Sequence, residues 1–115
     1  MPGPAIAAAR QTGENPVEKL AKFFPSACPL RMAVRLTRTA GEKVSSENTV
    51  IEFGTAREVL FACTQPLEFA DRIRVQNSDG SLDVEASVVA VQYHNEQTAV
   101  AARFTRDVAN WIVKP

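Results

Sequence analysis

Six apolar segments of strand length, each closed by turn-forming residues, leave this chain little choice of architecture. The first is the clearest. Leu30, Met32, Val34 and Leu36 alternate with Arg31, Ala33, Arg35 and Thr37, the period-two pattern of a strand with one buried and one wet face. Turn-prone Ala40-Gly41-Glu42, then Val44 and the polar stretch Ser45–Asn48, separate it from the β-rich run Thr49–Phe53, which Gly54 ends. Val59–Cys63 is apolar throughout and is followed by Gln65-Pro66, which predicts a strand enclosed on both faces. Arg72–Gln76 alternates again, and Asn77-Ser78-Asp79-Gly80 predicts a hairpin. In the longest segment, Leu82–Tyr93, Val84, Ala86, Val88 and Ala90 share one face while Val89, Val91 and Tyr93 line the other, which predicts extra cover at its far end. A turn at His94-Asn95-Glu96 leads into Ala99–Phe104. Parallel pairing needs a crossover of about a dozen residues or more, usually a helix. These reversals leave no room for one, so the predicted fold is all-β and antiparallel, its six strands closed into a small barrel that has no free edges.

Short elements flank the barrel, which is assigned to residues 29–105. Asn15-Pro16 followed by Val17, Leu20, Phe23 and Phe24 predicts a helix over 15–24, with a capping side chain, a proline at the first turn and apolar residues at helical spacing. Pro25 and Pro29 stop it. Residues 1–14 read as a flexible leader, because the apolar run Ala5–Ala9 is too short, and lacks an early positive charge, for a signal peptide. Residues 106–115, with Trp111, read as a short helical or irregular tail.

Composition narrows the function. At 115 residues, 45% hydrophobic and 23% charged, the chain suits one domain with one core. Lys+Arg and Asp+Glu each number 13, so the net charge is 13 − 13 = 0, without the basic excess of dedicated nucleic-acid binders. The charges are nevertheless segregated: residues 1–57 carry 8 − 5 = +3 and the remainder 5 − 8 = −3. No stretch approaches the roughly 20 apolar residues of a spanning helix, so membrane insertion is not expected. Cys28 and Cys63 stand in unlike contexts and read as two buried thiols in a reducing cytoplasm.

Catalytic constellations are missing. One His and two scattered Cys do not supply the three or four ligands of a metal centre, and His94 reads as an exposed turn residue. There is no Gly-x-Ser-x-Gly turn, Walker loop or Gly-x-Gly-x-x-Gly run. Asp83 and Glu85 share one side of a strand and read as a solvated face. The chain is therefore expected to be no enzyme and to need no cofactor.

The runs Pro29–Leu36, Val59–Leu67, Ala86–Val91 and Val100–Phe104 together resemble the PilZ domain over residues 29 to 105, the apolar run ending in Pro66-Leu67 and the closing Val-Ala-Ala-Arg-Phe being the most telling. The resemblance implies a six-stranded antiparallel barrel, usually bacterial and cytoplasmic, in the class of effectors of the second messenger cyclic di-GMP. Ligand-binding members carry an Arg-x-x-x-Arg segment before the first strand and an Asp/Asn-x-Ser-x-x-Gly turn ahead of the enclosed strand. Guanidinium forks pair bidentately with phosphates and guanine edges, and a turn of small residues admits the bases. This sequence keeps neither. Phe23–Ala27 holds no arginine, and in Phe53–Glu58 the acid or amide, the serine and the glycine are replaced by Phe53, Thr55 and Glu58.

Arg31 and Arg35 have the Arg-x-x-x-Arg spacing, but inside the strand and on its outward face. With Arg38 and Arg57 they form the candidate set for a bound nucleotide; without one, they are an ordinary solvated face. The expected function is that of a degenerate PilZ-like regulatory adaptor acting on a protein partner, with weak or no nucleotide binding. The alternative is a cyclic di-GMP effector with a nonstandard arginine site. The expected contact surface joins Arg31 and Arg35 to Phe23, Phe24 and Trp111 where these are exposed; buried, the three aromatics plug the barrel ends. An oligonucleotide-binding barrel is disfavoured, since one Tyr and one Trp, neither beside the arginines, make no stacking platform.

Overall fold

The computed structural model describes residues 15–94, 96–108 and 111. The leader assigned to residues 1–14, turn residue Asn95 and much of the tail lie outside the described residues. One short helix, α1 (Pro16–Ala21), precedes six strands: β1 (Cys28–Ala40), β2 (Lys43–Gly54), β3 (Glu58–Cys63), β4 (Arg72–Asn77), β5 (Asp83–His94) and β6 (Gln97–Phe104). They close into a barrel in the order β1-β2-β3-β6-β5-β4, every neighbouring pair antiparallel. The fold class is the one the segment spacing predicts. Two meanders, β1-β2-β3 and β4-β5-β6, meet along two seams, β3 with β6 and β4 with β1.

Turn chemistry sets the hairpins. Ala40 pairs with Lys43, so β1 and β2 are joined by the two residues Gly41 and Glu42, and Gly41 takes the positive φ of +64° that such a reversal demands. At the β4–β5 turn Gly80 has φ +78°. Asn77 ties that turn together, its Oδ1 accepting from the Leu82 N–H at 3.0 Å and its Nδ2 donating to Ser81 at 2.7 Å.

Inward-facing Val34, Leu36, Ile51, Phe61, Val75 and Val88 form the core with their buried neighbours. One end of the barrel is closed by Leu67, the other by Trp111, whose ring meets Phe104 edge-on at 5.4 Å. A second apolar layer lies outside the wall. Val17 and Leu20 of α1 cover Leu60 of β3 and Ala99 and Ala101 of β6, alanines whose small side chains let the helix lie close. With Phe61 inside and Leu60 under the helix, β3 is enclosed on both faces as predicted.

Four local readings change. The helix itself ends at Ala21, although hydrogen-bonded turns carry the chain on to Phe24. Ser45–Asn48, polar enough to read as a loop, belongs to β2 because β1 offers it a continuous ladder. A register slip against β6 between Val88 and Ala90 reverses the phase of β5: Val91 turns to the core while Val89 and Ala90 turn out beneath α1. Cys63 is buried, whereas Cys28, at the start of β1, is exposed.

Candidate functional site

Each of the four candidate arginines occupies its own setting. Arg31 sits on the outer wall where the β1–β2 register slips between Pro29 and Met32. It lines a concavity of about 480 Å³ with Asn15, Glu47, Glu52, Thr64 and Gln97. Burial pushes the Glu52 carboxyl up, against the lowering effects of the Asn15 hydrogen bond and the Arg31 charge. Arg35, further along the same outward face, lines a separate concavity of about 510 Å³ with Asn48, Gln76, Asn77 and Ser78. Arg38 lies three residues on and therefore on the opposite side of the strand, level with Ile73 and Ser45, where it pairs with Asp71 at 3.3 Å. Arg57 stands at the other barrel end in a pocket of about 160 Å³ with Arg103, Arg106 and Asp107. Arg103 there is held by Glu58, and Arg106 reaches the Asp83 carbonyl at 3.3 Å. No single cavity gathers the four.

The turn ahead of β3 decides whether a base has access. Thr55 closes it from within: its N–H donates to the Glu58 carbonyl at 2.9 Å, and its hydroxyl oxygen accepts from the N–H groups of Arg57 and Glu58 at 3.0 and 2.8 Å. The same hydroxyl donates to the Glu58 carboxylate. Arg103 then grips Glu58 Oε2 through Nε at 2.9 Å and Nη2 at 2.7 Å, so a mostly buried carboxylate has both a charge partner and hydrogen bonds. Trp111 covers the turn from outside, its indole N–H donating to the Thr55 carbonyl at 2.9 Å. A Cβ on Gly54 would lie 2.5 Å from Trp111 Cη2 and 2.9 Å from Leu30 Cδ2. The indole is seated directly on bare backbone.

No protein-family model matches the sequence, and no curated protein matches it. Among solved structures, that of the Bacillus subtilis inhibitor of motility, MotI/DgrA, is similar to this chain with a TM-score of 0.53 over 73% of its residues, at 13% sequence identity. The barrel is PilZ-like. The chain spans 43% of the length of that neighbour, and the likeness carries the fold alone. In this PilZ-like barrel the turn ahead of β3 is filled by the protein's own side chains.

The remaining expected groups separate in the same way. Trp111 and, in part, Phe24 are packed, Trp111 in the barrel end and Phe24 against the layer under α1, whereas Phe23 is exposed. Asp83 and Glu85 do face solvent, paired with Arg74 at 2.7 Å and Arg72 at 3.3 Å. His94 is exposed at the end of β5. Among the described residues no group of three or more His, Cys, Asp or Glu is placed to hold a metal ion, and no helix is long and apolar enough to cross a membrane. Sequence reasoning missed the pairing of Glu58 with Arg103 and the seat of Trp111 on Gly54, contacts that span 45 and 57 positions and leave no local pattern. It also missed two exposed aromatics at the Leu67 end, Phe69 and Tyr93.

Proposed function

We propose that this chain is a regulatory adaptor rather than an enzyme, that it works in the cytoplasm by binding a protein partner, and that it takes up cyclic di-GMP weakly or not at all. The reading is carried by the closed turn ahead of β3. Trp111 lies on Gly54 and donates to Thr55, so the backbone that ligand-binding relatives are expected to offer a guanine base is already covered. Two further observations support it: the segment before β1 has no arginine between Phe23 and Ala27, and Arg31, Arg35, Arg38 and Arg57 are dispersed. The structural neighbour is an inhibitor of motility, which favours regulation as the general role. Calorimetric titration of the purified chain with cyclic di-GMP is the test. No saturable heat is expected. Micromolar or tighter binding that disappears in Arg35→Ala or Arg57→Ala would overturn the proposal in favour of a nucleotide effector with a nonstandard arginine site.

A further inference from the structure

The loop from β3 to β4, residues 64–71, crosses the end of the barrel opposite Trp111. Leu67 drops from it into the core and is 1% exposed. Beyond Leu67 the chain is pinned at successive residues. Glu68 N–H donates to Asp71 Oδ2 at 2.9 Å, Asp71 N–H to the Glu68 carbonyl at 3.1 Å, and Ala70 N–H to the Val88 carbonyl at 2.8 Å. The Asp71 carboxylate also holds Arg38. Ala70 has φ +74°, the one positive φ among the described non-glycine residues, a conformation that costs about 1–2 kcal/mol in an L-residue. Strain persists where the surroundings over-determine it, and such positions cluster at functional sites.

The outcome of this pinning is an exposed aromatic. Phe69, between Glu68 and strained Ala70, is 71% exposed, and a loop fixed by this many bonds does not expose it through slackness. Tyr93 stands at the same end, 60% exposed, with its hydroxyl donating to the Leu67 carbonyl at 3.1 Å. Val44, 65% exposed, sits on the β1–β2 hairpin, which is joined to this loop where Ser45 donates to the Gln65 side chain at 3.0 Å. One barrel end thus presents three large apolar side chains on fixed supports. Its free charge is acidic. Among the described residues, Glu42, Glu68 and Glu96 lie here without a salt bridge, against Lys43, giving 1 − 3 = −2. Glu47 is engaged in accepting the N–H groups of Thr64 and Gln65.

We infer that this end is a docking surface for a basic segment of a protein partner, one that carries apolar anchors among its lysines or arginines. Rigid aromatics supply contact area at little entropic cost, and complementary charge selects and steers the partner. The inference rests on the adaptor reading above and names where the adaptor binds. The probes are three synthetic peptides of equal length, one basic with leucine and tryptophan anchors, one basic with serines in their place, and one acidic with the anchors kept, each titrated into the full isotope-labelled chain. Only the first is expected to give saturable amide shifts, centred on residues 42–44, 67–71 and 92–94 and weakening as salt is raised. Phe69→Ser is expected to weaken that binding at least tenfold at unchanged thermal stability, and Glu68→Lys with Glu96→Lys to do the same without touching the aromatics. Shifts centred on the Arg35 wall, equal binding of the acidic peptide, or self-association of the chain that Phe69→Ser abolishes would each overturn the docking surface, while only the cyclic di-GMP titration overturns the adaptor reading. The absence of shifts with all three peptides would also overturn the docking surface.

Discussion

Gly54 has no room for a methyl group. Its neighbours on that side are the rigid ring of Trp111 and Leu30, not the free end of a flexible chain, so Gly54→Ala must displace the indole. The expected loss is about 1–3 kcal/mol, as for other overpacked cores. Trp111 is the chain's single tryptophan, so denaturant unfolding followed by its fluorescence checks the stability, and a red-shifted native spectrum in the variant checks the displacement. Thiols give a second residue-scale prediction. Burial, and then the charge of Glu47, push the Cys63 thiol up to about 11, whereas Cys28 is exposed. A disulfide reagent at mildly alkaline pH should therefore modify one thiol per native chain and two after unfolding, with Cys28→Ser removing the fast phase. Glu52 gives the third. Its folded-state pKa is raised, chiefly by burial, so its share of stability is present at acid pH and is lost as pH rises through that value. Glu52→Gln is expected to be more stable than the parent at neutral pH and to lack the gain the parent shows on mild acidification. Asp83, held low by its hydrogen bond to Arg74, acts in the opposite sense, its contribution lost only as pH falls through its depressed value.

At the scale of elements, legibility follows how local the determining force is. The helix start was readable because its cap is local: Glu18 N–H donates to Asn15 Oδ1 at 2.7 Å, and Asn15 N–H donates back to the Glu18 carboxylate at 3.0 Å. β3 and the first half of β5 were readable because burial imposes its own period. The rest of β5 was not, since a register slip of one residue exchanges the two faces while leaving an equally apolar sequence on both. Ser45–Asn48 was not, because there the ladder to β1, rather than any side-chain pattern, makes the strand. The helix also has a measurable role. Leu20→Ala would uncover Leu60, Ala99 and Ala101 and is expected to cost about 2–5 kcal/mol. Asn15→Ala, which removes the cap and the 3.2 Å hydrogen bond from Asn15 to Glu52 but no apolar packing, should cost about 1 kcal/mol. Chemical denaturation of both variants tests the order, and equal costs would mean that α1 is held by its cap rather than by its packing.

For the whole molecule, zero net charge proved to be the sum of distinct surfaces. Arg35 marks an open polar wall, Arg57 and its neighbours a small basic pocket, and the Leu67 end an acidic rim around exposed aromatics. None of these groupings was legible in the sequence, although the +3 and −3 halves hinted at segregation, because barrel closure brings together residues far apart in the chain. The site question was legible only as the absence of two motifs that the family resemblance implies; in the structure an indole covers the turn ahead of β3. The two seams between the meanders have a further consequence, for folding. Neither three-stranded half can protect its edges or bury its inner face until both seams form, and the loop at residues 64–71 is the covalent link between them. Partly folded forms with one half intact should therefore not accumulate: loss of either seam exposes the other, and the domain should open in a single cooperative event.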